Sequence, residues 1–376
     1  MYYYGIKIMT SNELKDYIKE NCGNPSIGIA PVEDFSPEEM QSLEKVNRIM
    51  SSHTPLISAD TPILHPRKFM DNAASIIVLG FNVFFGRDYE LPGNPPRGEI
   101  MNFFVNQDCV NYIAGQTEKA LNFLSDHGYT GLSIATGIPI KIMAARSGLG
   151  RYRKNAVIHA PSRGSWLALN AIFTDAPLET DSPLDNDCGE CNICQKACPT
   201  GALSEPYKCN IERCLTLHAL YNKGTIPQDI REKAGTCIAQ CNLCLDACPK
   251  NKKLSIQNEI SNPEDLVYPE IAPLVNMTDN YFQKMFGASF LEFIIMDKKY
   301  LQRNAAIALG NYGDPAYISV LIEALETQSE EIVRSAASWA LGRIGTNDAT
   351  AALKKFLSQD PATPVRSEIH RALDRI

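Results

Sequence analysis

Two short runs, CGECNICQKACP from Cys188 and CIAQCNLCLDACP from Cys237, concentrate thiols at spacings that suit metal clusters. An iron-sulfur cubane needs four thiolates converging on one cube, and a tight loop in which every third residue turns inward supplies three of them. In the run C-x2-C-x2-C-x3-C-P, the fourth cysteine is directed to the other cluster of a two-cluster ferredoxin. By that rule Cys188, Cys191 and Cys194 hold a first cluster together with Cys248, while Cys198 joins Cys241 and Cys244 on a second. The second set lacks one ligand, which either Cys237 or Cys214, in IERCLTLHALY, could supply. Pro199 and Pro249 end the loops with a fixed backbone angle. Paired C-x2-C motifs also make tetrahedral zinc sites, but two triplets closed by Cys-Pro in one short segment follow the ferredoxin arrangement.

The rest of the chain must position these loops. At 376 residues, with 44% hydrophobic and 21% charged residues, it has the composition of an ordinary globular protein of two or three domains. No apolar run approaches the roughly 20 residues needed to cross a bilayer, so no membrane partner is expected. The N-terminus has no basic stretch followed by an apolar segment, which predicts no secretory signal and a cytoplasmic location. In a reducing compartment twelve cysteines point to metal ligation before disulfides. Cys22, Cys109 and Cys209 belong to neither set and are expected to be buried or idle thiols. A net charge of −7 with scattered basic residues makes no strong field for nucleic acid.

Residues 1–186 alternate helical and strand patterns. SNELKDYIKENC has helical spacing behind an N-cap serine, SIGIA and ASIIVLGFNVF are β-branched runs, and CVNYIAGQTEKALNFLSDHG is amphipathic with a terminal glycine. LPGNPPRGE reads as an exposed loop. In MAARSGLGRYRKNAVIHAPSRGSWLALNAIFTD the spacing predicts a helix ending at Gly148, a strand around NAVIHA and another at SWLALNAIFTD. Its G-x-G lacks the third glycine of a dinucleotide fingerprint. Toward the C-terminus, LQRNAAIALGNYGDPAYISVLIEALE recurs about 31 residues later as IVRSAASWALGRIGTNDATAALKKFLS, and VRSEIHRALDRI is a half copy. Small residues at helical spacing with a glycine after the first helix define HEAT-type helix pairs, too few to stand alone.

The order AARSGLGRYRKN, GSWLALNAIFTD, CGECNICQKACPTGA, RCLTLHAL, CNLCLDACPKN and RNAAIALGN resembles cobalamin-dependent epoxyqueuosine reductase, and more distantly the iron-sulfur half of corrinoid reductive dehalogenases. The resemblance implies an α/β corrinoid-binding domain of flavin-reductase-like fold (residues 1–186), an inserted bacterial ferredoxin-type double 4Fe-4S domain (187–256) and C-terminal all-α HEAT-like repeats (257–376). It implies two 4Fe-4S clusters and a cobalamin as cofactors, with electrons drawn from an external donor such as ferredoxin or flavodoxin. It makes Cys214 the remaining ligand of the second cluster and Cys237 a spare. Asn155, Thr216, Asn242 and Leu243 would lie near the corrinoid, and Lys154 could neutralise one of its side chains or its phosphate.

Three positions depart from the family. Its catalytic aspartate, in a D-S/T-A-P context, falls by ungapped alignment from Gly148 on Ile134, which cannot donate a proton. The glycine of its GKN motif is Arg153, a large cation where backbone would lie close to the corrinoid. The basic stretch before RNAAIALGN is LEFIIMDKKY, largely apolar, which argues against tRNA as the substrate carrier because phosphate contacts need Lys and Arg. The expectation is therefore a cobalamin-dependent iron-sulfur reductase in which two clusters relay electrons to a corrinoid cobalt that reduces a small molecule. Tyr152 is the candidate proton donor. The alternatives are an electron-transfer or corrinoid-reactivating protein, a true epoxyqueuosine reductase acting on tRNA, and an interaction module with structural clusters.

Overall fold

The computed structural model describes residues 2–3, 6–7, 9–55, 66–86, 95–134, 139–185, 188–257 and 259–376. The chain forms two compact units. The first comprises residues 1–86, 108–210 and 242–261, and the second residues 87–107, 211–241 and 262–376.

In the first unit β1 (Tyr2–Tyr3) and β2 (Ile6–Lys7) make a short antiparallel pair. The main sheet contains β3 (Ser26–Pro31), β4 (Ser75–Asn82), β5 (Gly131–Ile134) and β8 (Leu167–Thr174) in the order β3-β4-β8-β5. β6 (Arg151–Tyr152) and β7 (Ile158–His159) form a separate hairpin, so the strand expected around NAVIHA is only two residues long. The alternation of helix and strand in the sequence yields a sheet whose neighbours are all antiparallel, with Ile29 opposite Ile77, Val78 opposite Ala171 and Ile134 also opposite Ala171.

The strand β4 is apolar from Ile76 to Phe81 because both its faces are covered. Ile76 and Val78 pack with Ala171 and Phe173 against Met143, Ala144 and Leu149, at and just after the helix Ile140–Arg146. By the two-residue period, Ile77, Leu79 and Ile172 face the other way. There the helix Gln107–Asp126 lies close, and Thr117 Oγ1 accepts from Asn170 Nδ2 at 3.0 Å. The first helix begins at the expected cap, so the true cap lies one residue earlier. Ser11 is its first residue, and Thr10 closes a capping box with Glu13. The helix before GLG stops at Arg146, and Gly148 takes φ +65°, where a Cβ would meet Ser182 O at 2.5 Å. Residues 91–94 of LPGNPPRGE lie outside the described set, and the rest is not the exposed loop expected: Pro96 and Gly98 are buried, and Gly98 N donates to Pro269 O at 3.0 Å.

The second unit contains the repeats as helices Lys298–Tyr312, Ile318–Thr327, Glu331–Ile344, Asn347–Gln359 and Thr363–Leu373. Gly313 and Gly345 end the first and third in left-handed conformations. A Cβ on Gly310 would sit 2.7 Å from Ala340 Cα, which is why small residues recur where these helices meet. Two and a half units are too few to bury a core by themselves, and here Leu215, Ile230, Ile238, Leu274 and Phe286 complete it.

Arg303 and Asn304, both buried, fasten residues 218–238 to this core. Arg303 Nη1 donates to Asn222 O at 2.8 Å and Gly224 O at 2.6 Å, and Nη2 to His218 O at 2.9 Å. Asn304 Nδ2 donates to Ala219 O at 2.8 Å and Ile238 O at 2.7 Å. Burial pulls the guanidinium down to about 9, which leaves it charged at neutral pH. Replacing Arg303 with Met leaves three carbonyls without this donor, those of His218 and Asn222 on buried residues. Arg303→Met is expected to lower the stability of this unit by about 3 kcal/mol or more, measured as a fall in the urea midpoint. A midpoint equal to that of the unaltered chain would show that the clamp carries no stability.

Candidate metal centre

In the first unit the short helices Ile193–Ala197 and Leu243–Asp246 carry Cys194 and Cys244, and they pack on each other. Around Cys194 stand Cys248, Cys188 and Cys191. Burial pushes the Cys194 thiol up, and these three neighbours push it further the same way. Cys198 Sγ lies 3.6 Å from Thr200 Oγ1. Among the described residues no trio of Cys, His, Asp or Glu closes tightly enough for a single metal ion. A cube of iron and sulfide holds its thiolates further apart than one ion does, and four thiols grouped around Cys194 fit such a body.

The RYRKNA hairpin lies against these loops. Lys154 Nζ donates to Gly189 O at 2.5 Å, between Cys188 and Cys191. The buried Asn155 accepts from Val157 N at 3.3 Å and donates to Cys244 O at 3.3 Å. Asn242, also buried, precedes the helix at Leu243, whose side chain is 48% exposed. Tyr152 is half-buried and packs against the sheet core. Burial, with Glu39 adding to it, pushes its phenol up to about 12. Ile134, in β5, packs on the same core, and the four residues after it lie outside the described set.

In the second unit Cys214 precedes a π-helical turn, Leu217–Tyr221, a geometry frequent at functional sites. Thr216 Oγ1 accepts from Cys241 N at 3.1 Å. Cys237 is held well up by burial and then by Cys241 and Cys214, so it stands near both of them. Cys22 and Cys109 are buried, Cys209 is half-buried, and all twelve cysteines are free of disulfides.

Two contacts to Cys188 go beyond what the sequence predicts. Arg153 Nη1 reaches Cys188 Sγ at 3.9 Å, and its Nη2 meets His159 Nδ1 at 3.2 Å. Tyr207 also hydrogen-bonds Cys188. The basic run RYRK was the available signal for the first, and nothing in the sequence around Tyr207 marks the second.

The two units thus define an iron-sulfur protein with a helical-repeat tail. The pattern of a 4Fe-4S double cluster binding domain matches residues 187–251, and that of HEAT repeats matches residues 290–374. An epoxyqueuosine reductase of Lactococcus garvieae is 33% identical over 290 residues, 75% of this chain and 81% of that protein. One of Bacillus anthracis is 31% identical over 236 residues, 62% of this chain, and the chain spans only 61% of that relative's length. A crystal structure of epoxyqueuosine reductase with a tRNA-Tyr epoxyqueuosine-modified stem loop superposes with a TM-score of 0.86 at 25% identity, covering 97% of this chain and 98% of that one. The chain belongs to the epoxyqueuosine reductase family, a family of oxidoreductases.

This overturns the expectation of a small-molecule reductase, since the matched proteins are epoxyqueuosine reductases and one was solved with a tRNA stem loop. The apolar LEFIIMD segment misled because it reports on packing. Leu291, Ile294 and Ile295 are buried in the core of the second unit, while Phe293 and Met296 are exposed, so the buried part of the segment says nothing about phosphate contacts elsewhere. Among the described residues no helix is long and apolar enough to cross a membrane.

Two outcomes follow from this geometry. Cys248→Ser is expected to cost the first cluster, leaving about four of about eight irons per chain after anaerobic purification, whereas Cys198→Ser should cost the second. EPR showing the reverse assignment would refute crossed ligation. Separately, burial and Arg153 lower His159 from 6.5 to about 4. Between those values the unfolded imidazole takes a proton that the folded one refuses, so this contribution to stability is complete above pH 6.5 and is lost as pH falls toward 4. His159→Phe should flatten the acid limb of a stability profile, and an unchanged slope would remove His159 from it.

Proposed function

We propose that this chain reduces the epoxide of epoxyqueuosine in tRNA, using electrons that pass through two 4Fe-4S clusters. The observation that carries the reading is the match to an epoxyqueuosine reductase across 81% of that relative, together with superposition on the tRNA-bound structure over nearly the whole chain. The first cluster takes Cys188, Cys191, Cys194 and Cys248. The second takes Cys198, Cys214, Cys241 and Cys244, with Cys237 as the spare. The reaction consumes two electrons and two protons, releases the epoxide oxygen as water and restores the ring double bond. An external ferredoxin or flavodoxin is the class of donor whose potential suits the clusters.

A corrinoid is the further cofactor, and it would supply a cobalt centre able to accept electrons singly and act on the epoxide carbon. Leu243, whose apolar side chain stands exposed, would meet the face of a flat ring, and Asn155, its amide engaged at both ends, would hold the Cys244 carbonyl beside it. Asn242 and Thr216 complete the set, and Lys154 would meet a negative group at the rim. These residues bind and orient. Tyr152, two residues before Lys154 in the same hairpin, would be the proton donor; burial pushes its phenol up to about 12, which keeps the proton on but makes it a weak acid. Residues 1–186, 187–256 and 257–376 would be the corrinoid, ferredoxin-type and repeat domains.

The test is to supply epoxyqueuosine-containing tRNA and a low-potential reductant to cobalamin-loaded, iron-replete protein and to analyse the nucleosides by mass spectrometry. Queuosine is the expected product, and Tyr152→Phe should slow its formation by roughly 10²-fold or more. No queuosine from protein holding both clusters and cobalamin would overturn the reading.

A further inference from the structure

The RYRKN hairpin contains a cation that the proposed reaction leaves without a task. Arg153 is 4% exposed, so its guanidinium has been taken out of water. One arm is directed at Cys188 Sγ, 3.9 Å away, within range of a hydrogen bond to sulfur, and the other at Nδ1 of His159, 3.2 Å away. The hairpin fixes this aim locally, because Arg153 N donates to Val157 O at 3.0 Å and Ala156 takes φ +58° to turn the chain. His159 is itself buried in β7, across the hairpin from Arg151. A neutral imidazole presents a lone pair, so it can anchor one end of the guanidinium without cancelling its charge. The charge is left to act on the sulfur.

Hydrogen bonds to cluster sulfurs, net charge and solvent exposure set the reduction potential of an iron-sulfur cluster. A charge-assisted donor is roughly twice as strong as a neutral one. Reduction adds one electron to the cluster, breaks no bond and needs no proton, so the cluster becomes more negative by one unit. A fixed cation beside a ligand sulfur stabilises that form over the oxidised one. The glycine that the family motif carries here has no side chain with which to do this.

We propose that Arg153, anchored by His159, donates to the ligand sulfur of Cys188 and raises the reduction potential of the first cluster, setting where an electron rests between the two clusters. It is a positioning and tuning residue for electron transfer, and its role rests on the reading of Cys188 as a first-cluster ligand.

Anaerobically reconstituted full-length protein is titrated with dithionite while EPR follows both clusters, the first being assigned by its loss in Cys248→Ser. Arg153→Met, close in length but uncharged, is expected to keep about eight irons and an unchanged second-cluster potential. Its first cluster should shift toward the oxidised form by about tenfold, ~59 mV for a one-electron couple. Arg153→Lys retains the charge without the two-armed geometry and should fall between, as should His159→Phe, which releases the anchor. An unmoved first-cluster potential in iron-replete Arg153→Met overturns the proposal, and so does an equal shift of both clusters, which would mark a general field. Should the Met variant fail to load, Arg153→Lys decides, and a wild-type potential there overturns it. Absence of iron from the unaltered chain would instead refute the ligand reading on which the proposal stands.

Discussion

Bringing Cys188, Cys191, Cys194 and Cys248 to one place runs against elementary electrostatics. Each must become a thiolate to bind iron, yet at Cys194 burial and the three neighbouring cysteines both push the thiol up. The surrounding chain answers with positive charge and rigid backbone. Arg153 points at Cys188, Lys154 ties down Gly189 O, and Asn155 holds Cys244 O. The short helices at Ile193 and Leu243 brace each other, so that loops far apart in sequence meet with little freedom left to lose. The hairpin between β6 and β7 is therefore better understood as the support of the first metal site than as a piece of the main sheet.

A corresponding economy governs the second unit. Residues 211–241 have little regular structure of their own, and their carbonyls need donors that a loop cannot provide internally. Arg303 and Asn304 provide them from a repeat helix. Arg334, one repeat later, shows what the same position does ordinarily. It pairs with Asp360 and donates to Gln328 O and Ser329 O within the repeats. The first repeat has redirected that arginine toward the segment carrying Cys214 and Cys241. The repeats and the cysteine segment thus share one core.

What was legible in the sequence was whatever depends on short spacing. The two cysteine runs, the helical repeat with its closing glycines and the strands around Ile77 and Ile172 each follow from a period or a turn contained within a few residues. What was not legible depends on partners distant in the chain. Nothing in RYRKN says that Arg153 turns toward Cys188 and His159, because that depends on how the hairpin lies against a loop 35 residues further on. The antiparallel sheet was hidden for the same reason. Alternating helix and strand are compatible with either sheet direction, and only the long excursions between β3, β4, β5 and β8 decide it.

The misreading of the substrate has a physical lesson of its own. Two local features, an isoleucine at the expected acid position and an apolar LEFIIMD, are residue types that do not report directly on function. Ile134 and Leu291 are held instead by packing, one on the sheet core and the other in the core of the second unit. An apolar side chain in a core answers to the volume it fills, and it carries no information about a phosphate or a proton bound elsewhere. The cysteines differ because nothing in packing requires thiols at x2, x2 and x3 before a proline. Only ligation does, which is why that pattern alone is a safe guide to chemistry.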